Sequence, residues 1–129
     1  NKLIKMPTKQ ATTDITLKDL IVNAIQDKKG KSVTHLNLSA IDNIPCEHFI
    51  ICSGNSQPQV KAIAEEVQKQ VFDELGEHPL RKEGYQYQEW IILDYFNIVV
   101  HIFLPEKRDF YKLEELWSDG EKTIYEDII

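Results

Sequence analysis

Cysteine is nearly missing from this chain of 129 residues, which carries only Cys46 and Cys52. Two are too few for a disulfide framework; they fit a reducing compartment, where a free cysteine is usually a small buried hydrophobe. Cys46, His48 and Cys52 stand close together, but no paired cysteines or HExxH helix accompany them, so zinc is not expected and HFIIC is better explained as core. Long hydrophobic runs are missing too. The densest apolar stretch runs from Glu89 to Trp117, and the longest apolar run in the chain is broken by Asp94, Asn97 and His101, which excludes a membrane span. The opening NKLIKMPTKQATTD has no apolar run on the order of 7–15 residues, so a secretory signal is not expected and a cytoplasmic location is. An excess of basic residues is lacking as well: 15 Lys and Arg against 21 Asp and Glu give a net charge of −6. Such a chain repels DNA at long range and is attracted to basic partners, a class that includes most ribosomal proteins. Glycine is sparse, with five residues. The turn Ser53–Gly54–Asn55–Ser56 lacks the further glycines of a dinucleotide loop and the lysine of a P-loop. No GxSxG elbow is present for a serine nucleophile.

What is present reads as one domain of ordinary globular composition, 42% hydrophobic and 28% charged. Residues 1–13 are polar and unpatterned, a disordered lead-in. Leu17, Leu20, Ile21, Ala24 and Ile25 then recur at helical spacing, with Thr16 as the expected cap and Gly30 as the end. SVTHLNL alternates as a strand, a turn runs from Asp42 to Pro45, and HFIIC suits a central strand covered on both faces. Ser56, Pro58 and Gln59 open a long helix, with Gln59 expected to reach back to Ser56, and Val60, Ile63, Ala64, Val67, Val71 and Leu75 form its buried stripe to Gly76. PLRKEG reads as a charged edge strand. EWIILDYFNIVVHIFL reads as a hairpin: strand Trp90–Asp94, turn Tyr95–Asn97, strand Ile98–Leu104. Pro105 ends it, and a helical turn leads into KLEELW, followed by a mixed tail. The order α–β–β–α–β–β–β–α predicts an α/β fold, a compact mixed sheet flanked by helices.

Candidate chemistries are few. The Ser53–Ser56 turn could bind phosphate at a helix N-terminus, but a helix cap explains the same residues. A metal-dependent nucleotidyltransferase wants two carboxylates one residue apart on a strand; that spacing occurs only at Asp119–Glu121, in the tail beyond the expected sheet. His101 and Asp94 could form an acid–base pair across the hairpin, although a lone histidine on an apolar strand is more often structural or an interface donor. Binding has better support. Trp90, Tyr95, Phe103, Phe110, Tyr111 and Trp117 concentrate around Arg108 and several carboxylates. Trp, Tyr and Arg dominate protein–protein hot spots because they bury large areas with little loss of entropy.

WIILDYFNIVVHIFLPEKRDFYKLEELWSDG resembles the signature of the ribosomal silencing factor family (RsfS, also called Iojap). FIICSGNSQPQVKAIAEEVQ is similar to that family's upstream segment, and the likeness spans residues 14–120, leaving 121–129 as a tail. The resemblance implies a nucleotidyltransferase-like fold without the catalytic acids, no cofactor and no enzymatic activity. It implies binding to the large ribosomal subunit through its ribosomal protein fourteen. That contact would block subunit joining and silence translation when nutrients are scarce. Family members are also linked to ribosome assembly, and some form homodimers. Carried over by position, the contact surface would include Trp90, Leu93, Asp94, Tyr95, His101, Phe103, Arg108, Tyr111, Leu113 and Trp117. Two departures stand out. Phe96–Asn97 replaces the family's Gly before an acidic residue, so Asn97 is expected to supply the positive φ of the tight turn. Glu47–His48 replaces the family's Asp followed by an aromatic residue.

Overall fold

Two stripes of apolar residues at three- and four-residue spacing build the two long helices. The computed structural model describes residues 9–44 and 46–128, with side chains from Leu17 onward. Helix α1 (Lys9–Asp27) begins earlier than expected: residues 9–13 belong to it, and Thr16 lies inside it rather than capping it. The rest of the expected lead-in, and Pro45 of the expected turn, lie outside the described residues. Helix α2 (Gln57–Leu75) is capped by Ser56, whose Oγ accepts from Gln59 N–H at 3.2 Å, and it ends at Gly76 with φ 69°. The Gln59 side chain does not return to Ser56. Its Oε1 accepts from Asn55 N–H, and its Nε2 donates to the carbonyls of Lys28 and Lys29, tying the start of α2 to the end of α1.

The strands are β1 (Lys31–Asn37), β2 (His48–Ser53), β3 (Arg81–Glu83), β4 (Trp90–Asp94), β5 (Ile98–Phe103) and β6 (Glu121–Ile124), in the sheet order β3-β4-β5-β2-β1-β6. The central pair β2–β5 is parallel and its neighbours are antiparallel, so the sheet is mixed. Strand β6 corrects the expectation of a tail beyond the sheet, since it pairs antiparallel with β1 as an edge. Its residues are all exposed, so no alternation marked it as a strand. Between β5 and β6 lie two short helices in place of the single expected one, α3 (Pro105–Tyr111) and α4 (Leu113–Leu116). Lys112 divides them in a left-handed conformation, φ 51°.

Helices α1 and α2 pack on one face of the sheet, over Ile50, Cys52, Ile91, Leu93, Ile98, Val100 and Ile102, all fully buried. Each such apolar side chain contributes about 1.5–3 kcal/mol of burial, enough to hold a domain of this size without a disulfide or metal. The opposite face carries a smaller cluster of Leu36, Leu38, Ile51 and Phe103, against which Phe49, Trp90, Leu113 and Trp117 pack only partly buried. That second face, covered in part by α3 and α4, positions the candidate site.

Candidate functional site: the outer face of the β4–β5 hairpin

Strand geometry divides the hairpin residues by parity, because successive side chains leave a sheet on opposite faces. Ile91 and Leu93 of β4 point with Ile98, Val100 and Ile102 of β5 toward the long helices. Trp90, Ile92 and Asp94 therefore point away from them, with Val99, His101 and Phe103. Register then lays out a grid on the outer face. Trp90 is opposite Phe103, Ile92 opposite His101 and Asp94 opposite Val99. Ser53, Ile51 and Phe49 of β2 continue these three rows.

One end of the grid is closed. Arg108 of α3 is a clamp with its side chain only 12% exposed. It donates to the Glu114 carboxylate through Nε at 3.2 Å and Nη2 at 2.7 Å, to Ser53 Oγ at 3.0 Å and to Thr34 Oγ1 at 3.2 Å. Burial works against ionised Glu114, but the hydrogen bonds and charge of Arg108 outweigh it and hold the carboxyl below its usual range. Trp117 meets Phe49 edge-on at 6.2 Å, Trp90 stacks on Phe103 at 4.7 Å, and Tyr111 lies 4.7 Å from Trp90. Gly84 leads into this corner: with φ +91°, it brings its backbone so close to the Trp90 carbonyl that a Cβ would collide with it.

The other end is open. Cys46, Phe49, Arg81, Ile92, Asp94, Phe96, Val99 and His101 line a cavity of about 260 Å³. Asp94 accepts from Phe96 N–H at 2.8 Å and faces Arg81 at 3.5 Å across the rim. His101 forms one wall, only 5% exposed. The Trp90 indole N–H donates to His101 Nδ1 at 3.1 Å. An indole nitrogen only donates, so Nδ1 must be the acceptor and the imidazole proton sits on Nε2. Burial pushes the histidine pKa down to about 4, so the ring is neutral. Its Nε2 has no partner among the described residues, an uncommon condition for a buried donor. Burial likewise pushes the Cys46 thiol up to about 11, which leaves it protonated and a poor nucleophile.

The expected contact residues fall into three groups. Trp90, Asp94 and Tyr111 reach the outer surface, and Leu113 and Trp117 cover part of it. His101, Phe103 and Arg108 lie on the same side but inside it, as wall, floor and clamp. Leu93 and Tyr95 are corrections: both are buried on the opposite face, among residues packed with α2, and not on the outer face of the hairpin. The turn is corrected too, since the positive φ falls on Phe96, at 80°, and not on Asn97. That leaves the Phe96 ring 65% exposed. Ile92, Val99 and Phe49, absent from the expected set, share the outer face; period-two alternation along the strands, which the carry-over by resemblance did not use, would have found them.

Two N–H groups of the Ser53–Ser56 turn are engaged within the chain, and its Ser56 hydroxyl caps α2. Gly54 N–H donates to the Phe103 carbonyl at 2.9 Å, Asn55 N–H to Gln59 at 2.6 Å, and Ser56 Oγ caps Gln59 N–H. A phosphate would have to displace these bonds, so the cap explanation is favoured. Among the described residues no group of three or more His, Cys, Asp or Glu is arranged to hold a metal ion, and no helix is long and apolar enough to cross a membrane.

A family model described as "Ribosomal silencing factor during starvation" matches residues 10–128. The ribosomal silencing factor RsfS of Halalkalibacterium halodurans is 42% identical over 113 residues, covering 88% of this chain and 95% of its own. The crystal structure of a protein from Chromobacterium violaceum matches with a TM-score of 0.75 at 35% identity, over 81% of this chain and 85% of that one. A Mus musculus protein named for mitochondrial assembly of the ribosomal large subunit is 24% identical over 78% of this chain and 44% of its own length.

Proposed function

Because the chain belongs to the ribosomal silencing factor family, we propose that it represses translation by docking on ribosomal protein fourteen of the large subunit. Seated there, in the cytoplasm, it obstructs joining of the small subunit. The observation that carries this reading is the partly uncovered outer face. Apolar Phe49, Ile92 and Val99 and exposed Phe96 lie beside Asp94 on a chain of net charge −6. Apolar anchors supply affinity, and the acidic surface steers the chain to a basic ribosomal partner. The role is one of occupancy and not of turnover: burial keeps the Cys46 thiol protonated, and among the described residues His101 pairs with the Trp90 indole and with no carboxylate.

Co-sedimentation with separated subunits tests the reading. The protein should travel with large subunits and not with small ones, and it should bind isolated ribosomal protein fourteen. Trp90→Ala should weaken that binding by about 2 kcal/mol, because Trp90 holds Tyr111 and His101 in place on the outer face. Retention on small subunits alone would reject the reading. A second reading, assistance in large-subunit assembly, is favoured by the name of the mouse relative. It uses the same docking surface, but it predicts that cells lacking the protein accumulate large-subunit precursors even in rich medium.

A further inference from the structure

Arg81 lines the cavity at the open end of the outer face, yet it is held there loosely. Its side chain is 66% exposed; Nη1 meets Glu83 at 3.0 Å, while Nη2 stands 3.5 Å from Asp94 Oδ2, at the edge of hydrogen-bonding range. Asp94 is the more enclosed partner, with its side chain 21% exposed. Its Oδ1 accepts from Phe96 N–H at 2.8 Å, so the carboxylate is oriented without help from Arg81. Beside it stand the apolar walls Phe49, Ile92 and Val99 and the Phe96 ring, presented to solvent by a backbone φ of 80°. That φ is unfavourable for a residue with a Cβ, and it persists only where the surroundings enforce it. The cavity, about 260 Å³, has room for a long side chain and falls below the roughly 300–1,000 Å³ of pockets that take cofactors or drug-sized ligands.

We propose that this end of the outer face takes one arginine of the ribosomal partner, which displaces Arg81 from Asp94 and lays its guanidinium against the Phe96 ring. The proposal rests on the docking reading above and deepens it. Charge and shape together select the occupant. A chain of net charge −6 is complementary to a basic partner, and a carboxylate beside apolar walls is matched by a side chain with an apolar stem and a cationic head. Arg81 already places such a head at Asp94. Arginine fits better than lysine: a flat guanidinium pairs with a carboxylate through two parallel bonds and stacks on an aromatic face, whereas an ammonium is a strongly hydrated point charge. Displacement costs little, because Arg81 keeps its shorter contact with Glu83 and an ion pair so exposed contributes little. The incoming guanidinium, sheltered by Phe96 and the cavity walls, feels the Asp94 charge through less water than Arg81 does.

The test exploits the competition between the two arginines. Affinity for purified large subunits is measured for the parent, Asp94→Asn, Phe96→Leu, Arg81→Gln and Lys82→Gln, with thermal melts to confirm folding. Asp94→Asn keeps an oxygen for Phe96 N–H and removes only the charge; it should lose about tenfold. Phe96→Leu keeps an apolar rim without an aromatic face and should lose about threefold. Arg81→Gln removes the internal competitor and should bind about threefold more tightly. Lys82→Gln controls for net charge, since Lys82 is paired in register with Leu93 of the opposite face and its ammonium lies over Tyr85. Its gain should stay well below that of Arg81→Gln. Parent-level or weaker binding by Arg81→Gln, or an equal gain in Lys82→Gln, would overturn the proposal. Full affinity in Asp94→Asn or in Phe96→Leu would overturn it as well, while large-subunit binding by the parent kept the docking reading standing. A parent protein that binds no large subunit removes both.

Discussion

At the scale of single residues, two polar side chains on the outer face do opposite work. Arg108 satisfies four acceptor atoms and pins α3 and α4 to β1 and β2, whereas His101 accepts from Trp90 and its Nε2 has no partner among the described residues. Removing the clamp leaves Glu114, with its side chain 24% exposed, without its cation. Arg108→Ala should therefore cost about 2–4 kcal/mol in urea unfolding. Arg108→Lys should recover little, because a single ammonium cannot reproduce the fork. The histidines set the acid limit. Burial lowers both His101 and His35 from 6.5 to about 4, with nearby His48 and Lys18 adding to the effect at His35. Above pH 6.5 each is neutral folded and unfolded, and the stability is fully present. Between 6.5 and 4 the unfolded chain takes up protons that the folded one refuses, so stability should fall by about 1–3 kcal/mol per histidine. Unfolding midpoints at pH 7 and pH 4.5 measure the loss, and His101→Asn should shrink it. The same scale shows how far the site was legible. The signature singled out Trp90, Asp94 and His101, which the structure places on one face, together with Leu93 and Tyr95, which it places on the other. Strand parity separates these, since Leu93 is in step with buried Ile91 and not with Trp90. Nothing in the one-dimensional pattern revealed that Arg108 reaches Ser53 and Thr34, partners 55 and 74 residues away.

At the scale of elements, the long helices and the hairpin were readable because each buries a continuous stripe. Helical spacing located α1 and α2, and HFIIC announced a strand covered on both sides. Two details were less legible, the strand β6 and the division of the expected last helix into α3 and α4, because these pieces bury little. Strand β6 is exposed throughout, and α3 and α4 have no fully buried residue. Their placement comes from pairing with β1 and from the Arg108 clamp, both long-range effects. The hairpin tip shows a conflict between local preference and function. Phe96 holds a φ of 80° that glycine adopts freely, and its ring stays 65% exposed. Relief of backbone strain should make Phe96→Gly more stable by about 0.5–1 kcal/mol, while loss of the rim aromatic weakens large-subunit binding. Chemical denaturation and a binding titration on the same preparation check both halves. A variant that gained stability and kept full affinity would remove Phe96 from the docking surface.

At the scale of the whole molecule, the sheet is covered unequally. Two long helices seal one face, and two short ones seal only part of the other, leaving apolar and acidic groups side by side near the β4–β5 turn. On the proposed reading, a chain of net charge −6 would gain encounter rate with a cationic ribosomal surface, and the apolar groups would then hold it there. The central claim is that this occupancy keeps the subunits apart. Its most direct test adds the purified protein to large subunits before small subunits are supplied, and follows joined ribosomes by sedimentation. The account predicts that joining declines as the protein saturates the large subunits, and that bound protein stays with the unjoined particles. Full joining with the protein still bound to the large subunit would contradict it.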